Sequence, residues 1–276
     1  MQIVVRKLDG TEEPFKIEKL QESLRSAGAS ERAVQVISEH IAKEVYPGIT
    51  TQEIYAHAFE ILKHFEKKPV AARYSLKRAI FDLGPSGFPF EQFVSAVFKE
   101  IGYKNIETGV QLQGSCAPHE VDIYAKKDGK LIGAELKFHN TPGFKTDLKV
   151  ALYVWARFKD LLNAKQAVHE GWLITNTRFT RNVIKFSECS GLKLLGWDYP
   201  TGNGIEKLIE KSGVHPITAL TTLKSYQKKM LIEKDVVTCK QALALLEEVG
   251  SLGVGARNIA EIQEELKYLC AGENKN

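Results

Sequence analysis

Three ionisable side chains, Asp122, Glu135 and Lys137, stand at a spacing that can do chemistry. Asp122 lies in an apolar run, residues 121–125, that reads as a strand. Lys126-Lys127-Asp128-Gly129-Lys130 follows, and Asp-Gly is the strongest short-range hairpin signal. A second strand over 131–138 carries Glu135 and Lys137. Residues two apart on a strand point to one face, so these two project together while Leu136 points the other way. Pairing of the strands brings Asp122 to the same place. Charges are costly in a sheet of Val, Ile, Leu, Ala and Phe unless they bind something. A hard dication such as Mg2+ (or Mn2+) prefers carboxylate oxygens, which makes Asp122 and Glu135 candidate ligands. Lys137 beside it can help deprotonate a bound water or hold charge developing on a phosphate. That set suits phosphodiester hydrolysis. The plainer alternative is an exposed salt bridge on a sheet edge.

The elements that must position these residues are legible from periodicity. Phe90, Phe93, Val94, Val97, Phe98 and Ile101 mark an amphipathic helix ending at Gly102, and a strand is expected over 106–112. After the hairpin, Leu148, Leu152, Trp155, Phe158 and Leu161 mark a long helix. A strand over 172–175, a helix over 182–187 and a strand over 192–197 follow. Helix, three strands, helix, strand, helix, strand implies a mixed sheet with helices on both faces. Upstream, residues 3–15 read as a short hairpin. Helices are expected through Leu20–Ala27, through Val34–Val45, from Thr50-Thr51 onward, and from Pro69 through Leu76 to Ile80. Residues 84–87 and 198–204 are the boundary candidates. Beyond the second lie short helices, a basic patch (Lys224, Lys228, Lys229, Lys234) and a glycine-rich turn over 250–255.

The whole is expected to be an α/β multidomain chain: 1–83, a hairpin plus helices; 88–200, the mixed sheet; 204–271, a small helical domain. Its 276 residues, 43% hydrophobic and 26% charged, are ordinary for a globular protein. A net charge of +4 is a mild basic bias that permits phosphate binding without arguing for it. Four scattered cysteines, with no Cys-x-x-Cys pair, speak against zinc ribbons and disulfides and for a reducing cytoplasm. Neither a signal peptide nor a membrane span is expected. Histidines 40, 57, 64, 169 and 215 lack ligand spacing, and no Walker-type loop is present.

The strand–hairpin–strand with Asp122 and Glu135-Leu136-Lys137 resembles the core of the PD-(D/E)xK nuclease superfamily, in particular the Mrr-like restriction endonucleases, over roughly 88–199. Val121 stands where the superfamily name has proline. The resemblance implies a metal-dependent endonuclease with Asp122, Glu135 and Lys137 catalytic, and it makes Glu91 an accessory acid. Lys145, Lys149 and Arg157 are spaced to offer one basic side to a DNA backbone. Residues 175–181, with Arg178 and Arg181, are expected to grip phosphates at the next helix's N-terminus.

The opening segment, Val5-Arg6-Lys7-Leu8-Asp9-Gly10, Glu13-Pro14-Phe15 and Ile17-Glu18-Lys19-Leu20, resembles an ATP-cone, with Leu8 where a basic residue is usual. That implies binding of ATP or dATP as an effector, with Val5, Lys7, Glu13, Lys19 and Thr51 at the motif positions. Leu252-Gly253-Val254-Gly255 and the helix after it faintly resemble a helix-hairpin-helix, with an alanine one place late. The expected function is nucleotide-regulated, Mg2+-dependent DNA cleavage by a cytoplasmic homo-oligomer. The alternative is a nucleotide-responsive DNA-binding regulator with a non-catalytic nuclease-like fold.

Overall fold

A computed structural model describes residues 3–7, 10–66, 68–164, 168–250, 253 and 256–271. Its first part is a hairpin, β1 (Val4–Arg6) and β2 (Glu12–Pro14), over helices α1 (Ile17–Ser26), α2 (Glu31–Glu44) and α3 (Thr51–Phe65), followed by α4 (Lys68–Tyr74) and α5 (Leu76–Phe81). The single fourth helix expected from periodicity is broken at Ser75, whose hydroxyl donates to the Ala72 carbonyl at 3.0 Å. Serine competes for the backbone in this way and bends helices. The break lets the two halves serve different cores. Val70, Ala71 and Tyr74 pack with the N-terminal helices. Leu76, Ile80 and Leu83 pack with the central sheet, and Ala72 with the C-terminal helices.

The central part runs α6 (Phe88–Glu100), β3 (Lys104–Gln113), β4 (Pro118–Lys127), β5 (Lys130–Lys137), β6 (Lys145–Thr146), α7 (Leu148–Asn163), β7 (Glu170–Thr175), β8 (Arg178–Phe179), α8 (Arg181–Ser190) and β9 (Lys193–Leu195). Strand order in the five-stranded sheet is β3-β4-β5-β7-β9. β3, β4 and β5 pair antiparallel, while β5, β7 and β9 are parallel. Asp128 and Gly129 turn the hairpin with φ of 50 and 79, the left-handed conformation a tight turn requires. The short parallel pair β6–β8 has no counterpart in the sequence reading, because two residues are too few to show a period. Helices cover both faces: α5, α6 and α9 (Ile205–Ser212) on one, α7 and α8 on the other.

α7 lies unusually close to the sheet. A Cβ on Gly171 would stand 2.4 Å from the Phe158 ring and one on Gly133 2.7 Å from it, so neither strand can carry a side chain there. The C-terminal part adds α10 (Ser225–Ile232), α11 (Cys239–Ala244), α12 (Leu246–Gly250) and α13 (Ala256–Cys270) around its own apolar core. It is tied to the sheet domain by Gln92–Asp235 and Lys240–Glu100 contacts, at 2.8 and 2.6 Å. Most of the glycine-rich turn with the helix-hairpin-helix likeness (251, 252, 254 and 255) and Leu8 lie outside the described residues. Among the described residues, no helix is long and apolar enough to cross a membrane.

Candidate active site

The β4–β5 ladder runs from Lys127↔Lys130 to Ile123↔Ala134. One step further, Asp122 and Glu135 come opposite each other, and there a side chain takes over the pairing. Asp122 Oδ2 accepts the backbone N–H of Leu136 at 2.6 Å. That bond fixes Asp122 across the mouth of the hairpin. Glu135 is 4% exposed, an extreme burial for a carboxylate. Lys137 Nζ donates to its Oε1 at 2.6 Å, and the Arg157 guanidinium donates to its Oε2. Arg157 also donates to the Glu120 carbonyl at 3.0 Å and to Tyr153 Oη at 2.7 Å.

Glu91, in the first turn of α6, completes the cluster. Burial, then the charges of Asp122, Glu135 and Glu120, push its carboxyl up to about 7. Asp122 is pushed up to about 6, by burial and then by Glu135, against the opposing pull of the Leu136 N–H, Lys137 and Arg157. Asp122 and Glu135 thus raise Glu91, and Glu135 raises Asp122, which is what a positive ion among them would relieve. The donor set is hard oxygen, and each carboxylate oxygen keeps a second lone pair beside its present partner. Mg2+ holds most of its waters and needs only one or two protein carboxylates, so Asp122 and Glu135 fit it. Among the described residues, no group of three or more His, Cys, Asp or Glu side chains forms a ready-made metal cage.

Glu91 and Asp122 have folded pKa values above their ordinary 4.5 and 3.8. The unfolded chain therefore releases those protons first, and their contribution to stability is full at acid pH and lost as pH rises through about 6 to 7. In chelator, Glu91→Gln should flatten the fall in melting temperature across that window. Adding Mg2+ at pH 8 should raise the melting temperature of the unaltered chain.

The expected nucleic-acid contacts divide. Lys145, Lys149, Arg178 and Arg181 are all exposed. Lys145 and Arg178 are direct partners in the β6–β8 ladder. Arg178 is paired with Asp198 at 2.7 Å, which a phosphate must compete with. Two readings need correction. Arg157 does not extend the basic side of α7, because it turns inward onto Glu135. Thr175, Asn176 and Thr177 do not face phosphates, being buried and engaged. Thr175 donates to the Lys137 carbonyl at 2.8 Å, and Asn176 exchanges two bonds with the His139 backbone at 2.8 and 2.9 Å. They clasp the chain just after Lys137 and so hold that residue in place. Arg157 and Asn176 carry no local signature of these roles, since both depend on β5 lying beside β7 and under α7.

In the N-terminal domain, Val5 is buried and faces Glu13 across the hairpin. Glu13 is clasped by Lys7 at 2.8 Å and Lys19 at 2.9 Å, which hold its carboxyl below the usual range. Thr51 is the first residue of α3; the cap itself is Thr50, in a capping box with Glu53.

Comparison with known proteins agrees with this layout. Residues 3–82 match the ATP cone domain, 85–198 a restriction endonuclease domain, and 215–270 the C-terminal domain described as AF1548-like. An uncharacterized protein of Archaeoglobus fulgidus is 36% identical over 175 residues, which is 63% of this chain and 98% of that one. A crystal structure described as a protein of unknown function, AF1548, is 33% identical with a TM-score of 0.54, covering 67% of this chain and 98% of that one. A repair endonuclease from Pyrococcus abyssi is matched at 21% identity and a TM-score of 0.31, over 40% of this chain and 46% of that one. The chain belongs to the AF1548-like family, and within it carries an ATP-cone ahead of an Mrr-type restriction endonuclease domain.

Proposed function

We propose that this chain is a Mg2+- or Mn2+-dependent DNA endonuclease whose activity responds to ATP or dATP. The observation that carries the reading is the cluster of Glu91, Asp122 and Glu135, in which burial and the neighbouring acids push the Glu91 and Asp122 carboxyls up beside the Lys137 ammonium. A pure DNA binder gains nothing from acids turned toward phosphates. Asp122 and Glu135 would hold the dication, which when bound supplies Lewis acidity to the scissile phosphate and an acidified water.

The chain's own residues do the rest. Glu91, with a carboxyl pushed up to about 7, is suited to take the proton of the attacking water. Lys137 meets the charge that gathers on the phosphoryl oxygens. Arg157 fixes Glu135 from the opposite side, so the carboxylate cannot swing away. One P–O bond forms to the water oxygen and one breaks to a sugar oxygen, which takes up a proton. Lys145, Lys149, Arg178 and Arg181 supply exposed positive charge for the backbone on either side. The test is nicking of supercoiled plasmid with Mg2+ or Mn2+.

One observation favours a second reading, a nucleotide-responsive DNA binder without catalysis: both Glu135 oxygens already have cationic partners. Plasmid retarded in gels but left uncut by every dication would select it.

For the N-terminal domain we infer ATP or dATP binding through Val5, Lys7, Glu13, Lys19 and Thr51. The two lysines on Glu13 are the natural phosphate partners, and a nucleotide would draw them from it. Titration calorimetry should give heat with ATP or dATP, and Lys19→Ala should weaken binding about tenfold or more, as loss of a charged hydrogen bond does. Absence of heat and of any thermal shift would remove the effector from the account. α4 packs in the N-terminal core and α5, next along the chain, in the central core, so this pair would carry the effector's influence to the site.

A further inference from the structure

We propose that the strand taken at this site is unpaired: the acidic cluster is rimmed by aromatic rings that stack on splayed bases, so single-stranded or locally opened nucleic acid is the substrate class. This rests on the nuclease reading above and narrows it.

Fifteen Phe, Tyr and Trp residues lie within 85–198, and only Phe88, Phe144 and Tyr153 among them are exposed, at 53%, 56% and 59%. Each is tied to the cluster by chain position or through one intervening residue. Phe88 stands one helical turn before Glu91 on α6, so the two share a face. Tyr153 stands one turn before Arg157 on α7. Its hydroxyl accepts from Arg157 at 2.7 Å, and the guanidinium that grips Glu135 lies 5.0 Å from its ring centre. Phe144 lies against His139, ring centres 4.5 Å apart, and His139 is two residues past Lys137 in the segment that Asn176 clasps.

Tyr153 and Phe144 thus each have a cationic or ring partner behind them and substantial surface left to solvent. Exposed rings that recur around one site, unlike rings scattered singly, mark a surface that meets a partner. The covering group here must be flat and must travel with phosphates, because Lys145 and Lys149 are exposed close by in sequence and Lys137 lies among the acids. Bases in a duplex already stack on each other, whereas unpaired bases offer a face to a ring. A duplex reader would be expected to present polar side chains or a helix to base edges instead.

The test is fluorescence anisotropy with the full chain in chelator, using labelled oligo(dT), oligo(U) and a blunt duplex of mixed sequence. Both single strands should bind more tightly than the duplex, and a gap between oligo(dT) and oligo(U) would say whether DNA or RNA is preferred. Phe144→Ala and Tyr153→Ala should each weaken single-strand binding about tenfold, leaving duplex binding and the melting temperature nearly unchanged. Tyr153→Phe, which keeps the ring and loses the hydroxyl, should bind as the unaltered chain does; a purely structural role for the Tyr153–Arg157 bond would make it fail too. Preference for duplex, no binding of either strand, or alanine variants that bind single strands normally would overturn the proposal. Binding in chelator is independent of cleavage. Ring-dependent single-strand binding without cutting under any dication would leave this inference standing and sink the endonuclease reading. Duplex cutting indifferent to the rings would do the reverse.

Discussion

Asp122→Asn is expected to lower the rate of phosphodiester cleavage by about a hundredfold or more, since a metal's charge stabilisation amounts to several kcal/mol and each 1.4 kcal/mol is a factor of ten. The substitution removes the charge and leaves the shape. An amide oxygen can still accept the Leu136 N–H that Asp122 now holds at 2.6 Å, so the hairpin keeps its closure. Burial also favours a neutral group there, as the carboxyl pushed up to about 6 indicates. Melting temperature in chelator should therefore hold or rise while cleavage is lost. Added Mg2+ should no longer stabilise the variant as it does the unaltered chain. Cleavage at the normal rate would remove Asp122 from the chemistry.

Phe158→Ala should be the most damaging single change to the fold near the site, costing about 3–5 kcal/mol as large-to-small core changes of aromatic residues do. The ring is 1% exposed and lies against the bare backbones of Gly133 and Gly171, so nothing nearby can collapse into the space. The same contact sets the height of α7 above β5 and β7, and with it the reach of Arg157 to Glu135. Urea titration should show a lower midpoint, and cleavage should suffer even where the chain remains folded. Gly171→Ala tests the contact from the other side: an added methyl has no room and should destabilise by about 1–3 kcal/mol. A normal midpoint for both would mean that α7 is held by something else.

How far these features can be read from the chain depends on whether the signal is local. The β4–β5 hairpin is legible because alternation and Asp128-Gly129 are both short-range, and the register they set brings Asp122 opposite Glu135. The α/β layout and the helices of the ATP-cone follow from periods of two and 3.6. Ser75 escaped that reading, because Ala72, Leu76 and Ile80 keep a helical period straight across the break that its bond to Ala72 accompanies and that three separate cores exploit. Arg157 looked like one more cation on an exposed face. Its place along α7 does not by itself say which partner it meets, and in the fold it meets Glu135. Thr175-Asn176-Thr177 has the composition of a phosphate loop and the burial of a clasp, a difference that composition does not carry. The exposure of Phe88, Phe144 and Tyr153, alone among the aromatic residues of 85–198, exists only in the folded chain.

The central claim is that the acidic cluster cuts. The most direct measurement incubates the purified 276-residue chain with supercoiled plasmid and with a labelled oligonucleotide carrying an unpaired segment, with Mg2+ or Mn2+ in one arm and chelator in the other, and resolves the products. Cleavage in the dication arm that disappears both in chelator and in Asp122→Asn is the predicted result. Intact substrate under every dication, or cutting that survives chelator and the substitution alike, would contradict it.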